Sequence, residues 1–285
     1  MTALATELAP AKINLCLFVG PTRPDGRHEV VTVQDSLSLV DGLEVLAGRD
    51  DEVVCERVPG PNLVARALTA LREEGWNATP VRVVIHKRIP VAAGMGGGSA
   101  DAAAMLRLAP RLAGVPAGTL AAIAAQLGAD VPGQLQPGPS IATGAGETVQ
   151  RLGPLPPYGV LVLPQPFPLA TVAVYGEADR LGLSRPAAQL EALQAELAAA
   201  LPASMPPALI VNDLQPAALS LAGEIEDALR AARDSGADHA LVCGSGPTVI
   251  GIFWGRDGAD RARAAVDHVA GAHPAALAAE PMARL

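Results

Sequence analysis

The strongest chemical signal in the sequence is a glycine cluster, Gly94-Met95-Gly96-Gly97-Gly98-Ser99, that leads directly into a helix-forming stretch. Glycines let backbone amides turn toward one point without interference from a Cβ atom. The start of a helix adds unpaired N–H groups and the positive end of the helix dipole. Together these features are typical of a cradle for a polyphosphate. A glycine-rich turn without a ligand is the alternative.

Two better-known phosphate-binding motifs are excluded at this cluster. The sequence contains no GxxxxGK[ST] motif, so the chain is not a P-loop enzyme. The dinucleotide-binding fingerprint requires a glycine where the chain has Ser99.

Lys12 and Asn14 lie side by side on one face of a predicted strand. Ile13, Leu15 and Leu17 alternate with them and form the buried face. A lysine in this position can hold a phosphate or lower the pKa of a neighbouring hydroxyl or carboxylate. The alternative is an exposed strand face with solvated polar groups. Lys12 stands out because it and Lys87 are the only lysines, every other cation among the 21 being arginine.

Three further segments have both a chemical and a structural interpretation. Asp130, between Gly128 and Pro132, is either the N-cap of a following helix or the acceptor of a hydroxyl proton in phosphoryl transfer. The segment 25–29, Asp-Gly-Arg-His-Glu, is by itself a turn with charged neighbours. The segment 243–248, Cys-Gly-Ser-Gly-Pro-Thr, is either a tight hairpin or a second phosphate-binding nest.

The remaining pattern predicts an α+β chain of two lobes, with ranges 1–155 and 156–285. Periodicity and turn residues define the elements. The predicted strands are 11–19, 30–45, 81–85, 160–163, 171–174, 240–242 and 248–253. The predicted helices are 62–74, 99–112, 119–127, 187–201 and 225–235.

Composition limits the classes of function. The chain has 285 residues, is half hydrophobic and has a net charge of −8 without a basic stripe, so nucleic acid is not an expected partner. Its three cysteines form no CxxC pair or metal pattern, which fits a reducing cytoplasm. The amino terminus does not have the pattern of a signal peptide, and the uncharged stretch 152–176 contains too many prolines for a membrane helix. We therefore expect a cytoplasmic protein without a membrane partner.

The motifs, taken in order, resemble those of the GHMP kinases, the superfamily of galactokinase, homoserine, mevalonate and phosphomevalonate kinases. Its three recurrent motifs correspond to PAKINL at 10–15, AGMGGGSADAA at 93–103 and CGSGPTV at 243–249. Within the superfamily, PAKINL together with PDGRHE at 24–29, GADVP at 128–132, NDL at 212–214 and GSGPTV at 244–249 is similar to the 4-diphosphocytidyl-2-C-methyl-D-erythritol kinases. These motifs extend over nearly the whole chain.

The resemblance implies a two-lobe GHMP kinase fold with an active site in the cleft between lobes. It also implies ATP-dependent phosphorylation of the 2-hydroxyl of a cytidylated methylerythritol in non-mevalonate isoprenoid synthesis, with Mg²⁺ as the companion of ATP. Lys12 and Asp130 would be the catalytic pair. The substrate would be held by Asn14, Arg27, His28 and Tyr175, with His28 recognising the cytosine. The ATP phosphates would be bound by Gly94, Gly96, Gly97, Gly98 and Ser99.

Three departures from that family concern the substrate end of the site and the phosphate loop. Arg27 replaces a tyrosine that stacks on cytosine, and a planar guanidinium can stack in its place. The segment 133–138 replaces a Phe-Phe-Leu stretch, and Ala100 replaces a serine. Two alternatives therefore remain: a GHMP kinase for another small alcohol, of the homoserine or sugar type, and a non-catalytic nucleotide-binding regulator. The sequence does not indicate an oligomeric state or a dedicated metal site.

Overall fold

The computed structural model describes residues 3–58, 60 and 62–282 of the chain. The strands are Ala5–Thr22 (β1), His28–Ala47 (β2), Glu52–Val54 (β3), Val81–His86 (β4), Ser140–Thr143 (β5), Thr148–Arg151 (β6), Tyr158–Leu163 (β7), His239–Val242 (β8), Val249–Trp254 (β9) and Leu277–Ala279 (β10). The helices are Leu63–Glu73 (α1), Gly97–Leu112 (α2), Thr119–Leu127 (α3), Val131–Gln134 (α4), Thr171–Leu181 (α5), Ala187–Ala200 (α6), Gln215–Leu221 (α7), Ile225–Asp234 (α8) and Gly258–Val269 (α9). A 3₁₀ turn covers Pro207–Leu209.

The first of two compact units consists of Met1–Lys12, Leu39–Val91 and Gly96–Pro137. In it the carboxy-terminal part of β2 pairs antiparallel with β4, and β3 pairs parallel with β4. Helices α1, α2 and α3 supply one continuous apolar core with these strands, and α2 contributes mostly alanines. Small side chains allow α2 to pack closely, so its first turn is held by a rigid support.

The second unit consists of Ile13–Ser38, Ala92–Met95 and Gly138–Leu285. Its four-stranded sheet has the order β10-β7-β9-β8 and is antiparallel throughout. The amino-terminal part of β2 pairs antiparallel with β5, and β5 pairs with β6. A second apolar core lies among α5, α7, α8, α9 and the four-stranded sheet. The predicted lobe ranges 1–155 and 156–285 stay a prediction.

Two details of the sequence prediction are wrong. Residues 171–174 form the first turn of helix α5, not a strand. Thr171, Val172 and Val174 have β-branched side chains, but Val174 and Ala178 are buried at helical spacing, so tertiary packing outweighs local preference. The polar face of β1 is also buried: Lys12 and Asn14 are only 7% and 2% exposed.

Within the described residues, no helix is both long enough and apolar enough to span a bilayer.

Candidate active site

The glycine loop ends at the amino terminus of α2. Gly96 occupies the N-cap position with φ of +67° and, as a glycine, has no side chain that could cap the first turn of the helix. The carbonyl of Gly96 accepts the first helical bond, from the Ala100 N–H at 2.8 Å. The N–H groups of the first turn are therefore available to an anion, together with the positive end of the helix dipole.

Glycine is required at two positions of this loop for steric reasons. A Cβ atom at Gly94, whose φ is +72°, would lie 2.4 Å from the carbonyl oxygen of Cys243. A Cβ atom at Gly96 would lie 2.9 Å from Cγ of Lys12. The first contact brings the 243–248 turn against the start of the loop. The second contact brings the aliphatic stem of Lys12 against the middle of the loop.

Lys12 and Asp130 form an ion pair in the first unit. Lys12 Nζ lies 3.7 Å from Asp130 Oδ2, and the lysine side chain is 8% exposed while that of the aspartate is 35% exposed. Asp130 stands at the N-cap position of α4 but makes no capping hydrogen bond with its side chain. Its carboxylate is paired with the ammonium of Lys12. A half-exposed carboxylate beside a buried ammonium can accept a hydroxyl proton while the ammonium stabilises phosphoryl charge.

The second lysine of the chain, Lys87, belongs to a buried charge cluster beneath the same loop. Its ammonium donates hydrogen bonds to Asp41 and to Asp101 Oδ2, the latter at 2.8 Å. Asp41 Oδ1 also accepts from the backbone N–H groups of Arg88 and Ile89. A Cβ atom at Gly97 would lie 3.1 Å from Lys87 Nζ. In the sequence, Lys87 is notable only as one of two lysines. No role was predicted for it, because its partners Asp41 and Asp101 belong to other segments of the chain.

His28 and Tyr175 come together in the second unit. Their ring centroids are 5.1 Å apart with the planes tilted by 31°. His28 Nε2 lies 2.8 Å from Asp179 Oδ1 and 3.3 Å from Thr22 Oγ1. Asp179 was not predicted from the sequence. Because α5 is a helix, Tyr175 and Asp179 stand four residues apart on one face, and both reach the same imidazole.

The other two predicted substrate residues have partners of their own. Asn14 Nδ2 donates to Thr32 Oγ1 at 2.8 Å, and both side chains are buried. Arg27 is half exposed and makes a two-pronged bond to Asp25 Oδ2, with distances of 3.0 Å and 2.8 Å. The stacking role of Arg27 and the substrate role of Asn14 stay predictions.

Mg²⁺ is the metal ion that the sequence resemblance predicts at this site, as the companion of ATP. Among residues 3–58, 60 and 62–282, no group of three or more His, Cys, Asp or Glu side chains is arranged to hold one. Mg²⁺ bound with a nucleotide usually takes phosphate oxygens, waters and one or two protein oxygens. Ser99 Oγ, at the start of α2, is an oxygen of suitable chemistry.

Comparisons with known proteins identify relatives over nearly the whole chain. The pattern described as GHMP kinases N terminal domain matches residues 62–140, and that of GHMP kinases C terminal matches residues 189–271. The 4-diphosphocytidyl-2-C-methyl-D-erythritol kinase of Streptomyces avermitilis is 41% identical over 271 residues, which cover 90% of each chain. The enzyme of the same name from Thermobifida fusca is 42% identical over 280 residues, covering 90% of this chain and 89% of that one. A crystal structure of 4-(cytidine 5'-diphospho)-2C-methyl-D-erythritol kinase is 33% identical, with a TM-score of 0.77 and coverage of 98% and 100%.

Proposed function

The chain belongs to the 4-diphosphocytidyl-2-C-methyl-D-erythritol kinase family of the GHMP kinases, and on that basis we propose that it phosphorylates the 2-hydroxyl of this cytidylated alcohol. ATP, the phosphate donor of GHMP kinases, supplies the γ-phosphoryl group. The reaction belongs to the non-mevalonate route of isoprenoid synthesis. The observation that carries the proposal is the ion pair of Lys12 and Asp130, whose lysine stem touches the glycine loop at Gly96.

The proposed mechanism depends mainly on positioning and charge. The N–H groups at the start of α2 bind the phosphates of ATP and fix the direction of the γ-phosphoryl group. Asp130 accepts the proton of the attacking hydroxyl as the hydroxyl oxygen bonds to the γ-phosphorus, while the bond from that phosphorus to the bridging oxygen breaks and ADP leaves. Lys12 stabilises the negative charge that develops on the transferred phosphoryl group. Because the stem of Lys12 is packed against Gly96, its ammonium has little freedom to move away from the loop.

Mg²⁺ is part of the proposal as the usual companion of ATP, where it neutralises charge on the phosphate oxygens. The hydroxyl of Ser99 would supply an oxygen ligand near the phosphates.

We propose that side chains of the second unit recognise the cytidine end of the substrate. His28 and Tyr175 offer a hydrogen-bonding ring beside an aromatic face, which suits a nucleobase. Asp179 holds Nε2 of His28 and thereby orients the ring. Arg27 would stack on the base after it leaves Asp25, and Asn14 would contribute an amide near the substrate.

The test of this function is ADP release from Mg-ATP with a panel of acceptors. The panel contains 4-diphosphocytidyl-2-C-methyl-D-erythritol, homoserine, mevalonate, galactose and a sample without acceptor. We expect release only with the first compound. Release with another alcohol alone would keep the kinase and refute the substrate. Tight ATP binding with no release on any acceptor would instead indicate a non-catalytic regulator.

A further inference from the structure

Arg107 connects three elements of the first unit that carry the proposed active site. It lies on α2, the helix that begins in the glycine loop. Its Nη1 donates to the carbonyl of Gln134, the last residue of α4, and its Nη2 donates to the carbonyl of Leu8 on β1. Lys12 follows Leu8 by four residues on β1, and Asp130 is the N-cap residue of α4. One guanidinium group therefore links the strand of the lysine to the helix of the aspartate.

Helix α4 depends on contacts of this kind. It has only four residues, so its own hydrogen bonds hold it weakly. The last carbonyls of a helix have no partner within the helix, and at this end the Gln134 carbonyl is bonded by Arg107. Val131 and Gln134 are 0% and 3% exposed, so water does not support either end. The position of Asp130 at the start of α4 is therefore set by tertiary contacts, one of which is the bond from Arg107.

The burial of Arg107 is costly for a group that only stabilises the fold. Its side chain is 15% exposed, and its Nε has no hydrogen-bond partner among the described residues. Its counterion is Glu7, at 3.5 Å, which Arg111 also contacts at 3.2 Å. A buried ion pair is often no more stabilising than apolar side chains of similar volume. A planar guanidinium does, however, offer two donors in a fixed geometry, which suits a group that holds two backbone segments at a set separation.

We propose that Arg107 is a positioning residue for phosphoryl transfer: by fixing α4 relative to β1, it keeps Asp130 and Lys12 at the 3.7 Å seen in the structure. This inference rests on the proposed catalytic roles of those two residues. The role is separate from ATP binding, because α2 is held independently by its apolar packing against α1 and α3. Loss of Arg107 should therefore slow the transfer step and leave ATP affinity unchanged.

Steady-state kinetics of Arg107→Ala with Mg-ATP and 4-diphosphocytidyl-2-C-methyl-D-erythritol tests the proposal. We expect kcat to fall by about 10–10²-fold, since a misplacement of about 1 Å has an effect of this order. KM for ATP should not change. Arg111→Ala is the matched control, because Arg111 lies one turn further along α2 and bonds to the Thr6 carbonyl and Glu7 but not, within the described part of the chain, to α4. It should keep the wild-type kcat.

Guanidinium ion distinguishes a positioning role from a general loss of structure. At concentrations far below those that denature proteins, it can enter the space left by the Arg107 side chain and donate to both carbonyls. We expect kcat of Arg107→Ala to rise with guanidinium chloride and to saturate, with no rise in sodium chloride or methylammonium chloride at equal concentration. The Arg111→Ala protein should not respond. No response of Arg107→Ala, or an equal response to all three salts, would overturn the proposal.

A double-mutant cycle tests whether Arg107 acts through Asp130. In an Asp130→Asn background, Arg107→Ala should change the single-turnover rate far less than in the wild type, because the placement of an absent base no longer matters. Effects that multiply would overturn this inference alone, whereas normal turnover in Asp130→Asn would refute the proposed catalytic pair. If Arg107→Ala does not fold, Arg107→Lys replaces it, since an ammonium lacks the two-donor fork. Wild-type kcat in the variant used would also overturn the inference.

Discussion

Replacing Gly96 by alanine tests the link between the glycine loop and the catalytic lysine. The backbone at Gly96 is left-handed, with φ of +67°, and an alanine there costs about 1–2 kcal/mol of stability. The new Cβ atom would lie 2.9 Å from Lys12 Cγ, whereas carbon atoms in contact are normally about 3.5–4.0 Å apart. The lysine must therefore move by roughly 1 Å, a misplacement that can reduce a rate by about 10²-fold.

Gly118→Ala is the matched control for this change. Gly118 is likewise a left-handed glycine at the N-cap of a helix, α3, with φ of +81° and open space where a Cβ atom would lie. Both variants should lose about 1–2 kcal/mol of unfolding free energy. Only Gly96→Ala should lose kcat, by about 10²-fold, in a steady-state assay with 4-diphosphocytidyl-2-C-methyl-D-erythritol. A folded Gly96→Ala protein with kcat near that of Gly118→Ala would refute the role of Lys12 derived from this contact.

Three further predictions concern carboxylates. Asp130→Asn should lower kcat by about 10²-fold or more and leave ATP affinity nearly unchanged; normal turnover would remove Asp130 from the catalytic pair. Asp179→Asn should raise KM for the cytidylated substrate by about 10-fold with kcat and KM for ATP unchanged, since a charge-assisted bond to His28 is lost; an equal effect on ATP would contradict its role in orienting His28. Burial raises the pKa of Asp35 to about 6 in the folded protein. As pH rises from about 4 to 6, the Asp35 carboxyl therefore ionises in the unfolded chain before it ionises in the folded one, and the free energy of unfolding falls by about 2–3 kcal/mol. Urea unfolding should show this loss in the wild type but not in Asp35→Asn, and a difference between the two that does not change with pH would argue against it.

The local sequence pattern was sufficient to predict most of the longer helices and strands. Helix α3 was predicted with its observed bounds, Thr119–Leu127, because an apolar periodic stretch ends at a glycine. The GHMP kinase fold and the α+β class are confirmed by the family matches. The motif order was enough to name the family, and the glycine motif in particular reflects a local backbone requirement, the positive φ at Gly94 and Gly96.

The remaining features depend on tertiary contacts. Residues 171–174, the first turn of helix α5, were predicted as a strand, and only the structure shows that Tyr175 and Asp179 share a face of a helix. The cluster around Lys87 was missed since Asp41 and Asp101 come from distant segments. Burial of both faces of β1 was also missed, because alternation alone does not say what covers the polar face.

The phosphorus NMR spectrum of the product tests the central claim most directly. The carbon that bears the 2-hydroxyl of a 2-C-methylerythritol also bears the methyl group and has no hydrogen. A phosphate on that oxygen therefore has no proton three bonds away, and its resonance is predicted to be a singlet in a proton-coupled spectrum. The diphosphate signals of the substrate should remain. A doublet or triplet for the new phosphate would place it on another hydroxyl and contradict the proposed reaction.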